Sequence, residues 1–140
     1  MLFLNAVTVF AEKSRDVNGH VWKKMKYDNK CYYLTGYFAG LQKTEEIINI
    51  EVESERRQKF AFTEPFYVYQ IRNKIRSYFP DKRNSDLDMM IKLLNAFYSD
   101  KYNLNIKFDA ALRIILARQK GDIEKSDFWL REARKSILMK

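Results

Sequence analysis

The chain has 140 residues, a length that suits one domain with a buried core. Hydrophobic residues make up 46% of it and aromatic residues 15%, which excludes a disordered polymer. Four glycines and two prolines are too few for a fold of many short strands and favour helices. The net charge of +8 suits a nucleic acid, an anionic membrane surface or an acidic protein partner, and it equally suits plain solubility.

The first eleven residues, MLFLNAVTVFA, are apolar, and the chain turns polar at Glu12. The small residues around Val9-Phe10-Ala11 resemble a signal-peptidase site, although the positively charged start of a signal peptide is missing. We therefore expect residues 1–11 to be the remnant of a secretion signal and the protein to be periplasmic or secreted. The alternative is a strand or helix packed on the domain of a cytoplasmic protein. The run is too short to span a membrane.

A long helix is predicted from Asp28 to Val52, after a turn at Asn18-Gly19 and a short helical segment. Its apolar residues follow the three-and-four spacing of an amphipathic helix. Gly36 and Gly40 interrupt it at a cost of about 1 kcal/mol each. We expect this cost to be offset by another element that approaches the bare backbone closely.

Further helices are predicted over 65–79, from Ser85 to Tyr98, over 110–120 and over 123–138. The helix over 110–120 is apolar on nearly every face except at Arg113, so it belongs at the centre of a bundle. The sequence therefore predicts an all-α fold, with residues 12–140 forming a single-domain helical bundle of five or six helices.

No motif in the chain identifies a reaction. His20 is the only histidine, too few for a triad or a multi-histidine metal site, and a capping or surface role fits it. Cys31 is the only cysteine, which excludes an internal disulfide. We expect no catalytic residues, no metal and no cofactor, and we interpret the carboxylates as solvated helix faces.

Two segments combine aromatic and polar side chains. The cluster from Tyr98 to Asn105 is either a ligand or partner surface or, as we favour, a helix corner whose side chains bond to exposed backbone groups. The segment 66–78 interleaves aromatic and basic residues and could stack on single-stranded bases. Helical spacing instead makes Arg72, Lys74 and Arg76 an exposed face.

Three stretches of the chain form a pattern, which reads Asn18-Gly19-x-x-Trp22-x-x-Met25, then Lys30-x-x-Tyr33-Leu34-x-Gly36-x-x-x-Gly40, then Phe97-Tyr98-x-Asp100-x-x-Asn103-x-x-Ile106-x-x-x-Ala110-Ala111-Leu112. In this pattern the chain resembles a loose group of small, all-helical bacterial proteins that carry signal peptides. The resemblance implies kinship but says almost nothing about activity. We expect most of the signature residues to hold the fold; they are Trp22, Tyr33, Gly36, Tyr37, Gly40, Tyr98, Asp100, Asn103 and Asn105. Residues 53–84 have no counterpart in the pattern and are a possible insertion.

A weaker likeness is to the Tai family of type VI secretion immunity proteins, which have a step similar to Gly36-Tyr37-Phe38-Ala39-Gly40. It implies a protein that binds and blocks another protein. We therefore expect a non-enzymatic protein that acts through contact with another protein, with an immunity or inhibitor protein and a basic nucleic-acid-binding domain as alternatives. The expected contact surface is the basic helix 65–79 with the loop 80–85, and its residues are Arg72, Lys74, Arg76, Tyr78, Lys82 and Arg83.

Overall fold

Six α-helices and one short 3-10 helix make up the regular structure of the residues described by the computed structural model, which are 16–81 and 86–139. The elements are α1 (Gly19–Lys24), α2 (Tyr27–Gln58), α3 (Phe66–Arg76), α4 (Leu87–Phe97), the 3-10 helix (Lys101–Asn103), α5 (Phe108–Gln119) and α6 (Ile123–Leu138). The prediction of an all-α bundle with five or six helices is confirmed. Residues 1–11, with the predicted secretion signal, lie outside the described residues, as do Lys82 and Arg83.

The core is built around α5, which buries seven of its twelve residues. Helix α4 adds Met90, Ile91 and Leu94, and α1 adds Trp22. Helix α6 covers another side of α5, where the buried Ser126 hydroxyl donates a hydrogen bond to the Ile114 carbonyl at 2.9 Å. The central position expected for the most apolar helix is thus confirmed.

Helix α2 is 32 residues long, or about 48 Å at the α-helical rise. Its first half contributes Leu34 to the core, while Val52 in its second half is buried beside α3. The helix runs past the expected end at Val52 to Gln58. Its charged last turns are supported by pairs one turn apart, such as Arg56–Glu53 at 2.5 Å, which stabilise an exposed helix end.

The prediction that Gly36 and Gly40 allow a close approach is wrong. Both glycines are exposed, and a Cβ atom built on either would meet no atom within 4 Å. At 100° per residue they lie about 200° and 240° around α2 from Leu34, so they share the face turned away from the core. The backbone cost of these two glycines is therefore not offset by packing.

A close approach does occur at Gly19, the first residue of α1. A Cβ atom there would lie 2.5 Å from Tyr98 Cδ1 and 2.8 Å from Leu104 Cα. The Gly19 N–H donates to the Leu104 carbonyl at 2.9 Å, so the two backbones are held together at this point. Only a residue without a side chain fits here.

None of the helices in the described parts of the chain combines the length and the apolar character needed to cross a bilayer.

We predict opposite effects of alanine at these glycines. Gly36→Ala and Gly40→Ala should each raise the free energy of unfolding by about 0.5–1 kcal/mol, because alanine is the better helix former and meets open space. Gly19→Ala should lower it by about 1–3 kcal/mol, because Tyr98 and the Leu104 backbone must move. Urea unfolding followed by circular dichroism measures the stability of all three variants. Destabilisation by Gly36→Ala or Gly40→Ala would contradict the finding that both glycines face open space.

Candidate interaction surface

The cluster from Tyr98 to Asn105 forms the corner between α4 and α5. One oxygen of Asp100 accepts a hydrogen bond from the Tyr102 N–H at 2.9 Å, and the other accepts from Arg134 Nη2 at 2.6 Å. The buried Asn103 side chain donates to the Phe97 carbonyl at 2.8 Å and accepts from Arg134 Nε at 2.9 Å. These bonds agree with the interpretation as a helix corner, and they fasten α6 to it through Arg134.

Two further members of the cluster have structural partners. The Tyr98 side chain is fully buried, and its hydroxyl donates to the Ile106 carbonyl at 3.1 Å. Burial raises the pKa of Tyr98, so the hydroxyl keeps its proton at physiological pH. Asn105 Oδ1 lies 3.2 Å from His20 Nε2, which gives the lone histidine a partner across the fold.

The signature aromatics near the start of the chain surround Phe108. The ring centroids of Trp22, Tyr33 and Tyr37 lie 5.6, 4.9 and 5.1 Å from that of Phe108. Trp22 also donates through Nε1 to Asn95 Oδ1 at 2.9 Å. The signature residues other than the two glycines thus all have side-chain contacts within the described structure.

The basic face expected on helix 65–79 is largely engaged with carboxylates. Arg72 donates to Asn49 Oδ1 at 3.0 Å and forms an ion pair with Glu64. Arg76 Nε lies 2.6 Å from Glu45 Oε1 on α2. Tyr78 is half-buried, so among the described members of the predicted contact surface only Lys74 and Arg76 are exposed.

The more prominent feature of this region is exposed apolar area on the hairpin formed by α2, the following loop and α3. Seven of the sixteen large hydrophobic side chains that are exposed among the described residues lie between positions 47 and 71. We call these the hairpin side chains; they are Ile47, Ile50, Phe60, Phe66, Tyr67, Tyr69 and Ile71. Their exposed fractions start at 46%, so they are well outside the core.

This exposure follows from how α3 packs. Helix α3 has 11 residues and none is fully buried, because it rests on α2 through one narrow face that includes Val68 and Arg72. Apolar residues also occupy the other faces, where Phe66 and Tyr69 stack with ring centroids 6.3 Å apart. A groove of about 470 Å³ between the two helices is lined mainly by apolar side chains, including Val52, Val68 and Tyr67.

This surface was not predicted from the sequence, because helical spacing alone makes Arg72, Lys74 and Arg76 the exposed face of α3. The signal was present: six of its eleven residues, FYVYQIRNKIR, are aromatic or aliphatic and spread around the helix. A helix that is apolar on several faces needs more than one neighbour.

Within the described residues, no three histidine, cysteine, aspartate or glutamate side chains converge as a possible metal site.

Comparison of the chain with protein-family models, with curated proteins and with solved structures gave no match.

We predict that the two arginine pairs of the hairpin differ in their contribution to stability. The Arg72 and Glu64 side chains are each 18% exposed, whereas Arg76 is 59% exposed. Arg72→Gln should lower the free energy of unfolding by about 1–3 kcal/mol, because Glu64 loses its partner in a half-buried place. Arg76→Gln should cost less than about 1 kcal/mol, as exposed pairs do.

The measurement is urea unfolding of both variants and of Glu64→Gln alone and combined with Arg72→Gln. The double-mutant cycle isolates the Arg72–Glu64 interaction. Equal losses for Arg72→Gln and Arg76→Gln would contradict the prediction.

Proposed function

We propose that this protein is a non-enzymatic protein-binding module whose contact surface is formed by the hairpin side chains. The observation that carries the proposal is the concentration of exposed aromatic and aliphatic residues on α3 and the neighbouring part of α2. Large exposed apolar patches mark interaction sites because their burial is favourable. Tyrosine and phenylalanine offer large contact areas with little side-chain entropy to lose.

The chemistry of α3 indicates what such a partner presents. The helix contains Arg72, Lys74 and Arg76 and no acidic residue. Lys74 is exposed, whereas Arg72 and Arg76 are paired with Glu64 and Glu45, so little net positive charge surrounds the apolar area. The matching surface is therefore mainly apolar, with a carboxylate opposite Lys74 at its edge, since complementary charges exclude wrong partners.

A protein partner is favoured over a nucleic acid by the same contacts. Binding to phosphates depends on cations that are free to displace counterions. Arg72 and Arg76 already bond to Glu64 and Glu45, so a nucleic acid would have to compete with two carboxylates. The aromatic members of the hairpin side chains, in contrast, are each more than half exposed, so contact with a partner breaks no ion pair.

We further propose that the protein is exported and that it blocks a toxin. The proposal of export rests on residues 1–11, and the proposal of a blocking role rests on the likeness to immunity proteins. A mainly apolar contact surface fits an inhibitor of another protein as well as it fits an adaptor.

We predict that a photo-crosslinking amino acid at Tyr69, introduced into the full chain in its native cell, will trap one protein, because Tyr69 is 51% exposed on the proposed surface. The same group at Phe128 on α6, which is 53% exposed, is the matched control and should not trap it. Mass spectrometry identifies the product.

With the purified partner, Phe66→Ser combined with Tyr69→Ser should raise Kd at least about tenfold, which is about 1.4 kcal/mol. Phe128→Ser should leave Kd unchanged.

Several outcomes would contradict this proposal. Crosslinking of Tyr69 to nucleic acid would favour the nucleic-acid alternative, and crosslinking to a second copy of the chain would make the surface a self-association interface. Equal crosslinking from Tyr69 and Phe128 would mean that the contacts are non-specific.

A further inference from the structure

The groove between α2 and α3 has an apolar wall on each side. Helix α2 contributes Ile47, Ile48 and Val52 to it, and α3 contributes Tyr67 and Val68. Ile47 and Tyr67 are 53% and 64% exposed, so the apolar area continues past the groove volume of about 470 Å³. An occupant that covers this area therefore needs a continuous apolar face rather than a single side chain.

The charged residues that line the groove do not balance. They are Glu51, Glu55 and Lys59, and Glu55 and Lys59 form an ion pair with each other. Glu51 is exposed, and none of the ion pairs found in the described parts of the chain includes it. The groove thus combines apolar walls with one negative charge, and an occupant with a cation beside its apolar face complements it.

The fold also limits the backbone conformation of the occupant. An extended segment needs partners for its own backbone groups, which the open edge of a sheet provides. The described parts of the chain contain no sheet, only an isolated bridge between Asn18 and Lys107, and the walls of the groove are helices whose backbone groups are already bonded. A helix satisfies its own backbone hydrogen bonds and can still lay an apolar face in a groove.

The length of the groove suits a short helix. Its lining residues on the α2 side extend from Ile47 to Lys59, which is about 18 Å at the α-helical rise. A helix of about 12 residues covers this distance.

We infer that the groove binds an amphipathic helix of the partner protein, which lays its apolar face between α2 and α3 and places a lysine or arginine against Glu51. Such a helix forms a three-helix packing with α2 and α3 and covers apolar side chains that the hairpin leaves exposed. The cation is in addition to the carboxylate expected opposite Lys74. This inference rests on the proposed function, because the helix belongs to the protein that the hairpin side chains contact.

Selection from a library of displayed helices of about four turns, with the full chain as the target, tests the inference. Every member has leucines at the three-and-four spacing of an apolar stripe, and the flanking positions are randomised. We expect the selected helices to be enriched in lysine or arginine on one flank. Because the net charge of the chain is +8, general attraction would enrich acidic helices instead, so this result points to a local carboxylate.

Two charge reversals locate that carboxylate. On Glu51→Lys the same flank should become enriched in aspartate or glutamate, because the charge in the groove is reversed. Glu132→Lys makes the same change on α6, at another exposed glutamate that none of the ion pairs in the described residues includes. This control should select the same basic helices as the unmodified chain.

Two apolar positions locate the bound helix. Ile47→Ser removes an exposed apolar side chain from the α2 wall and should raise the Kd of a selected helix at least about tenfold, as measured by fluorescence anisotropy. Ile123→Ser is the matched control on α6, where Ile123 is 45% exposed, and it should leave Kd unchanged.

The inference is overturned if no helix is selected, if the selected helices carry no excess of cations, or if Glu51→Lys leaves their sequences unchanged. Equal weakening by Ile47→Ser and Ile123→Ser would also overturn it, because the helix would then bind elsewhere. A chain that fails this selection but crosslinks one protein from Tyr69 would keep the proposed function and lose only the helix. A chain that selects basic helices but crosslinks no protein from Tyr69 would keep the helix site and lose the proposed function.

Discussion

The packing of residues 17–22 against the corner between α4 and α5 is the constraint on which the rest of the fold depends. Two backbone hydrogen bonds make it, from Gly19 to the Leu104 carbonyl at 2.9 Å and from Phe108 to the Val17 carbonyl at 2.8 Å. The missing side chain at Gly19 lets the Tyr98 ring lie against the backbone. This contact places Trp22 in the core, where it anchors the aromatic cluster around Phe108.

That cluster in turn determines how α2 lies. Tyr33 and Tyr37 must reach Phe108, so the first half of α2 is fixed on the bundle. The helix stays continuous to Gln58, and its second half is packed on α3. A two-helix hairpin has too little opposing surface to bury apolar residues on several faces. The exposed aromatic area is therefore a consequence of the same packing that fixes α2 on the bundle. At this place no other described helix covers the remaining apolar faces of α3.

Local patterns in the sequence were sufficient for the helices, for the central position of α5 and for the corner at Asp100 and Asn103. They failed where the answer depends on residues far apart in the chain. The spacing of Gly36 and Gly40 shows that they lie on the same face of α2. It does not show whether that face packs against another helix or is exposed to solvent. Arg134 bonds to Asn103 and Asp100 of the corner, which lie more than 30 residues earlier in the chain. No pattern of neighbouring residues predicts such a contact.

A nucleic acid is one of the partners that the net charge of +8 suits, but the charge is not concentrated on the hairpin, where binding to phosphates would need it. Residues 42–76 contain seven lysines and arginines against six glutamates, a local balance of only +1. An interface on this hairpin must therefore gain most of its free energy from burial of apolar area. Salt screens interactions between charges, so this contribution depends little on the salt concentration. A phosphate-binding surface would lose affinity steeply with salt. This local charge balance agrees with the protein contact that we propose for the hairpin, and the positive excess of the chain lies in its other parts.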